Sequence, residues 1–227
     1  MPAFEPASLH TFLFRKKKAV PKKNSFAGKA VPKENFNLKE GKMNAVIVHG
    51  SFGCPAENWF PWLKEELGKL GCTVFVPRFP TPEQQNLKNW LAVFAEYAQY
   101  LDKDTILIGH SLGCAFILNL LEGIDEQIKA AFFVAGFTGK LNEPEFDKIN
   151  RSFADKEFDW VKIRKNCRQF FVFYSDNDPF VPQRKALDLA EKLNTKPILV
   201  KGAGHFNSKA GYAQFPLLLE KIKKLAK

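Results

Sequence analysis

The sequence predicts an α/β protein with a mostly parallel sheet and helices on both faces. Two observations support this class. Short apolar runs rich in β-branched residues recur along the chain, and segments with helical spacing of apolar residues separate them. Strands that are apolar along their whole length are typical of parallel sheets, which are covered on both faces. In such sheets ligands bind beyond the carboxyl ends of the strands.

The first half of the domain alternates strand and helix. Residues 45–48 are an apolar run that predicts a buried strand. Asn58 is expected to cap the first helix, whose apolar residues recur every three or four positions until Gly71 ends it. Residues 73–76 predict the next strand, and residues 87–101 predict an amphipathic helix.

The second half continues this alternation. Residues 105–108 and 131–135 are short apolar strands, and the segment 115–121 between them is apolar nearly all round, which predicts a buried helix. Residues 138–169 are polar with scattered aromatic residues, which indicates short helices. The remaining predicted elements are a strand at 169–174, a helix that Pro182 opens and that runs to residue 193, a strand at 198–200 and an amphipathic helix at 215–225.

Composition and charge place this domain at residues 43–227. The 227-residue chain is 45% hydrophobic and 26% charged, and its longest apolar run, 130–137, is too short to cross a bilayer, which takes about 20 residues. Residues 1–42 hold ten Lys or Arg and three Glu, a net of +7 out of the total of +10. The folded part is therefore nearly balanced, and we expect it to bind no nucleic acid.

Residues 1–42 are basic and show no hydrophobic period, which favours a disordered extension. Three interpretations stay open. The segment is a solvated tail, or a basic arm that touches nucleic acid or acidic lipid, or it is not part of the natural protein. The last hypothesis rests on residues 39–42, whose purine-rich codons resemble a bacterial ribosome-binding site directly before Met43.

Neither a metal ion nor a cofactor is predicted. The four cysteines are far apart, without C-x-x-C spacing, and neither a Walker A sequence nor G-x-G-x-x-G occurs. In the extension the apolar residues precede the basic ones, which does not fit a signal peptide. We therefore expect a cytoplasmic protein with reduced thiols at Cys54, Cys72, Cys114 and Cys167.

The motif that carries chemistry is G-x-S-x-G at residues 109–113, with Ser111 at its centre. It lies between the strand 105–108 and the apolar helix, which is the context of the nucleophile elbow in the α/β-hydrolase fold. The two glycines are needed because a Cβ at either position would collide with the neighbouring strand and helix. A small-residue turn with a capping serine shows the same pentapeptide, so the motif alone does not decide the function.

A serine nucleophile needs a base and an acid that orients the base, here in the chain order Ser, acid, His. Among the four histidines only His205 follows the last strand, in a glycine-rich loop. The acid is expected after the preceding strand, where the segment 175–179 offers two candidates. Asp178 is preferred as the acid because Pro179 fixes the turn beyond it, and Asp176 suits an Asx-turn that shapes the loop.

Two backbone N–H groups are expected to bind the oxyanion. They are those of Leu112, which follows the nucleophile, and of Ser51, in the loop after the first strand. His49 would then hold that loop rather than act as a base. Four aromatic residues next to these loops are expected to wall an apolar acyl pocket, with core packing as the alternative for each: Trp59, Phe137, Phe180 and Phe206.

Several motifs in order carry a resemblance to a known family. They are His49-Gly50, Trp59-Phe60-Pro61-Trp62-Leu63, Gly-His-Ser-Leu-Gly at 109–113, the segment 176–182 and Gly204-His205-Phe206. The chain resembles the small serine hydrolases related to retinoblastoma-binding protein 9 and bacterial YdeN over residues 43–227. The resemblance implies a compact α/β-hydrolase fold without a large cap domain, a triad of Ser111, Asp178 and His205, and a site bordered by residues 134–137.

The predicted function is hydrolysis of small carboxylic esters or thioesters through an acyl-Ser111 intermediate. The substrate is accordingly a small-molecule acyl ester. Peptidase or lactonase activity would use the same residues. The competing class is a protein-binding module on a hydrolase fold, because the related human protein is named for a partner and a fold does not determine function.

Overall fold

The computed structural model describes residues 43–225, which form one six-stranded sheet and seven α-helices. The extension predicted at residues 1–42 lies outside the described residues. No helix within the described part is long and apolar enough to span a membrane. The strands are β1 (Asn44–Val48), β2 (Thr73–Phe75), β3 (Ile106–His110), β4 (Ile128–Val134), β5 (Cys167–Tyr174) and β6 (Ile198–Leu199). The helices are α1 (Phe60–Lys69), α2 (Leu87–Phe94), α3 (Leu112–Gly123), α4 (Pro144–Ala154), α5 (Trp160–Lys165), α6 (Gln183–Lys192) and α7 (Pro216–Leu225).

The strand order is β2-β1-β3-β4-β5-β6, and every neighbouring pair is parallel. The chain places β2 on one side of β1 and then returns to place β3 on the other side, where Val48 pairs with Gly109. The carboxyl ends of β1 and β3 therefore meet at the point where the strand order reverses, the usual ligand site of such sheets. The parallel sheet confirms the predicted α/β class.

Side chains alternate along the strands and so build one apolar layer on each face of the sheet. Val46 and Phe133 belong to the layer under α2 to α6, whose largest members include Trp90 and Phe116. Ile47 lies in the opposite layer, under α1 and α7. Helix α3, which follows the elbow, is buried along its whole length, as its all-round apolar sequence predicts.

Helix α2 is shorter than the predicted helix at 87–101. It ends at Phe94, and a 3₁₀ turn follows at Ala98–Tyr100. The tighter turn carries two tyrosines onto Phe75 of the edge strand. The ring centroid of Phe75 lies 5.6 Å from that of Tyr97 and 4.5 Å from that of Tyr100. Packing on the sheet thus overrides the helical period in this segment.

The expectation that Asn58 caps the first helix is wrong. Trp59 occupies the N-cap position without a side-chain cap, and helix α1 begins at Phe60. Asn58 instead adopts φ of 52°, a left-handed conformation that asparagine tolerates. Its Oδ1 accepts a hydrogen bond from the Ser208 N–H at 2.9 Å. Asn58 therefore joins the loop before α1 to the loop that carries His205.

Candidate active site

Ser111 lies in a sharp turn between β3 and α3, with φ of 53° and ψ of −121°. This backbone conformation is costly for a residue with a Cβ, about 1–3 kcal/mol. The Ser111 N–H donates to the carbonyl oxygen of Val134 at 2.9 Å, which anchors the turn to the end of β4. The strained turn presents the serine side chain to a cavity beyond the carboxyl ends of the strands.

The glycines on either side of this serine allow close backbone contacts. A Cβ on Gly109 would lie 2.8 Å from the nitrogen of Cys114. A Cβ on Gly113 would overlap the carbonyl oxygen of Val48 and lie 2.8 Å from that of His49. Backbone atoms cannot yield as the end of a flexible side chain can. The predicted reason for both glycines is confirmed.

The structure brings His205 and Asp178 together at the same end of the sheet. The Nδ1 of His205 lies 2.8 Å from Oδ2 and 3.1 Å from Oδ1 of Asp178. The N–H groups of Phe180 and Val181 donate to Oδ1 of the same carboxylate. With the carboxylate accepting, Nδ1 of the imidazole carries the proton and Nε2 is the basic nitrogen. His205 and Ser111 line one cavity.

The other candidate acid, Asp176, shapes the loop instead. Its Oδ1 accepts from the N–H of Gly202 at 2.7 Å, and the neighbouring Asn177 Oδ1 accepts from the N–H of Gly204 at 2.7 Å. These two bonds tie the loop after β5 to the loop after β6. Asp178, and not Asp176, lies opposite the imidazole.

His110 has a contact that the sequence analysis missed. Its Nε2–H donates to the backbone oxygen of His205 at 2.8 Å, and the two ring centroids are 4.8 Å apart. The ring packs edge-on against Trp59 and Phe60. Burial lowers the pKa of His110 to about 3, so the ring is neutral near pH 7. His110 supports the backbone of His205 rather than exchanging protons.

The loop after β1 lies directly against the elbow, since a Cβ on Gly50 would come within 2.8 Å of the Ser111 Cβ. His49 holds this loop through a neutral ring, because burial lowers its pKa to about 4. Its Nδ1–H donates to the Gly50 oxygen at 2.8 Å, and its Nε2 accepts from the Phe79 N–H at 3.1 Å. The Gly50 carbonyl and the Ser51 N–H belong to one planar peptide unit, so His49 also sets the direction of that N–H.

The cavity has a volume of about 830 Å³, which suits a small-molecule ligand. Two of the four aromatic residues predicted to wall it, Phe137 and Phe180, line it, although Phe137 is almost completely buried and only Phe180 is exposed. Trp59 and Phe206 do not, because both are completely buried in the core layer under α1 and α7. The indole N–H of Trp59 donates to the Phe206 oxygen at 3.1 Å, so this pair braces the site from behind. For these two residues the core-packing alternative is correct.

The sequence analysis missed two further aromatic residues that line the cavity. Phe52, in the loop after β1, lies edge-on to Phe146 of α4, with ring centroids 5.8 Å apart. Phe146 lies 6.2 Å from Phe180, and Phe180 lies 5.1 Å from the His205 ring. Phe52 and Phe180 are 58% and 47% exposed, which is high for phenylalanine and leaves their faces open to a ligand.

The Cys114 thiol is close to the elbow in the chain but does not line the cavity. Cys114 is buried three residues after the elbow serine, its thiol donates to the Gly109 oxygen at 3.3 Å, and burial raises its pKa. Between residues 43 and 225 no three His, Cys, Asp or Glu side chains are grouped so that they could hold a metal ion.

Comparison with known proteins identifies relatives along nearly the whole described chain. YdeN of Bacillus subtilis is 31% identical over 176 residues, which cover 77% of this chain and 91% of YdeN. The serine hydrolase RBBP9 of Rattus norvegicus is 29% identical over 167 residues, 72% of this chain and 87% of RBBP9. The predicted resemblance is confirmed.

Solved structures extend this likeness to the fold. The crystal structure of the B. subtilis ydeN gene product matches with a TM-score of 0.76 at 29% identity, over 81% of this chain and 98% of that one. Est1E of Butyrivibrio proteoclasticus, solved with ferulic acid bound, matches with a TM-score of 0.60 at 18% identity, over 83% and 92% of the two chains. At that identity the likeness shows the α/β-hydrolase fold alone.

The serine hydrolase family model matches residues 45–224. The match begins in β1 and ends in α7, so it includes the elbow and both loops that carry the imidazole and the carboxylate. The strained serine turn and the histidine–carboxylate pair thus occur in a chain that belongs to the serine hydrolase family and is a hydrolase.

Proposed function

We propose that this protein hydrolyses small carboxylic esters or thioesters through an acyl-Ser111 intermediate. The observation that carries the proposal is the arrangement of the elbow serine and the His205–Asp178 pair around one cavity. In the proposed reaction the Nε2 of His205 takes the hydroxyl proton as Ser111 attacks the substrate carbonyl. The imidazolium then gives the proton to the leaving alcohol or thiol, while Asp178 keeps the ring oriented.

The backbone N–H groups of Ser51 and Leu112 are proposed to bind the oxyanion. Leu112 begins α3, so its N–H belongs to the first turn of a helix, where backbone N–H groups lack helical partners. Ser51 lies in the loop that touches the Ser111 side chain. Each such donor typically contributes about 3 kcal/mol to stabilising the transition state.

The apolar group of the substrate is proposed to contact Phe180 and Phe137, together with Phe52 and Phe146. The open faces of Phe52 and Phe180 favour an apolar acyl or alcohol group over a charged one. In the second step His205 takes a proton from water, the water attacks the acyl-Ser111 ester, and the acid leaves as the proton returns to the Ser111 oxygen. We expect the reaction to occur in the cytoplasm without a bound cofactor.

A fluorophosphonate probe tests the nucleophile, because it reacts covalently with an activated serine. Wild-type protein and the Ser208→Ala control, which removes another serine of the same cavity, are expected to be labelled. Ser111→Ala and His205→Ala are expected to lose labelling. Label that persists in Ser111→Ala would refute the assignment.

A panel of acyl esters, thioesters, lactones and peptides then identifies the preferred bond. We expect esters or thioesters to be turned over faster than lactones and peptides. A wild-type protein that neither labels nor turns over any of these substrates would instead favour the protein-binding class.

A further inference from the structure

We propose that Gln85 and Asn150 are positioning residues that hold the oxyanion loop, residues 50–53, in its catalytic shape. Neither residue belongs to the triad, and Gln85 does not line the cavity. The inference rests on the proposed function, because it concerns the Ser51 N–H as an oxyanion donor. It adds a second anchor to the one that His49 supplies.

The Ser51 side chain is held by a closed triangle of hydrogen bonds. Its hydroxyl donates to Oδ1 of Asn150 at 2.7 Å. The Nε2 of Gln85 donates to that same Oδ1 at 2.8 Å and to the Ser51 Oγ at 3.0 Å. Each member of the triangle bonds to both others, so moving one would strain two bonds.

The neighbouring contacts determine the orientation of the Gln85 amide. Nε2 also lies 3.3 Å from the backbone oxygen of Ile149, which can only accept a hydrogen bond. On the other side Oε1 accepts from the Thr81 hydroxyl. Thr81 in turn accepts from the Phe52 N–H at 2.7 Å. The network thus reaches two consecutive residues of the oxyanion loop.

Burial makes this network costly to break. Gln85 is 8% exposed and Asn150 is 3% exposed, although both are polar. A buried amide that loses its partners has no water to replace them, so breaking the network destabilises the folded protein. The network also joins three separate segments, since Gln85 lies before α2 and Asn150 on α4. The contacts therefore define one position for a loop that has no regular secondary structure.

The two anchors act on opposite sides of the proposed donor. His49 holds the carbonyl end of the peptide unit between Gly50 and Ser51. The Gln85–Asn150 pair holds the Ser51 side chain, on the other side of the N–H. A peptide unit restrained at both sides cannot rotate its N–H away from the Ser111 side chain. This preorganisation is what an oxyanion donor requires.

The expected effect of breaking the network is on kcat. Complete loss of one oxyanion donor lowers kcat by about 10²–10³-fold, so a donor that is only misplaced should cost about 10- to 100-fold. KM should change by less than about twofold, because the oxyanion forms only in the transition state. The factor should be the same for every acyl group, since all esters form the same oxyanion.

The experiment compares full-length Asn150→Leu and Gln85→Met with wild type on esters of short and long acyl groups. Asn150→Asp is the conservative variant, because its carboxylate still accepts from both partners, and it should restore most of kcat. The matched control is Asn166→Leu. Asn166 is also 3% exposed and donates twice from its amide, but it lies at the opposite end of the sheet, directly before β5. That variant should lower the melting temperature and leave kcat unchanged.

Phosphonylation supplies a second readout, because the probe's phosphoryl oxygen occupies the oxyanion site. Its rate should fall with kcat in both network variants. The double variant should be no slower than the worse single one, since the pair acts as a unit.

The inference is overturned if a folded Asn150→Leu or Gln85→Met protein keeps the wild-type kcat. It is also overturned if the loss appears in KM and depends on acyl size, which would indicate a pocket contact. Should Asn150→Leu fail to fold, Gln85→Met decides by the same criteria. An inert wild type refutes the proposed function and this inference together, whereas an active wild type with active network variants refutes the inference alone.

Discussion

Acidification should destabilise this protein because two buried histidines must stay neutral. The pKa is about 3 for His110 and about 4 for His49, against an ordinary value near 6.5. Below pH 6.5 the unfolded chain takes up protons that the folded chain does not. The free energy of unfolding therefore decreases as the pH is lowered. The slope approaches 1.4 kcal/mol per pH unit for each histidine and ends near its folded pKa. Between pH 7 and pH 5 each histidine therefore lowers the free energy of unfolding by about 2 kcal/mol.

The matched variant for this measurement is His110→Gln. The glutamine amide can replace the ring N–H that donates to the His205 oxygen, but it does not titrate. Urea unfolding followed by far-UV circular dichroism at pH 7, 6 and 5 gives the free energy of unfolding of both proteins. We expect wild type to be the more stable at pH 7 and its advantage to shrink by about 2 kcal/mol at pH 5. Carboxylates that titrate in both proteins cancel in this difference.

Parallel pH profiles for wild type and His110→Gln would refute the reasoning. They would mean that His110 takes up its proton equally in the folded and unfolded chains. The burial argument would then be wrong for this ring, and with it the conclusion that His110 supports His205 as a neutral donor.

Three further predictions concern the site. Asp178→Asn should lower kcat by about 10⁴-fold on an ester, whereas Asp176→Asn, which keeps an acceptor for the loop, should stay within about twofold of wild type. Gly113→Ala should lower the melting temperature sharply and abolish phosphonate labelling, because the new Cβ overlaps the Val48 oxygen; normal labelling would contradict this. Phe180→Ala should raise KM for long acyl esters more than for acetyl esters, and an equal change for both would argue against its pocket role.

The fold class and the order of the site residues follow from the sequence alone. The reason is that the relevant signals are local. Continuous apolar runs specify strands that are buried on both faces. The glycines on either side of Ser111 permit its strained turn, and they too can be read directly from the sequence. Because parallel strands end at one edge of the sheet, chain order alone places Ser51, Ser111 and His205 at the same edge. These predictions required no knowledge of how individual side chains pack.

The tertiary structure decided which side chains face the cavity. Trp59 and Phe206 flank site loops in the chain yet turn into the core, while Phe52 and Phe146 line the cavity. Loop side chains have no period from which their direction can be inferred, so hydrophobicity alone cannot separate the two pairs.

The contacts between distant segments were likewise decided only by the tertiary structure. Asp176 and Asp178 lie two residues apart in one loop, and backbone contacts with the loop after β6 decide which of them meets the imidazole. The hydrogen bonds that join Gln85 to Ser51 and to Asn150 span 34 and 65 residues. Such bonds depend on how α4 and two loops pack over the sheet, and no local sequence pattern specifies that packing.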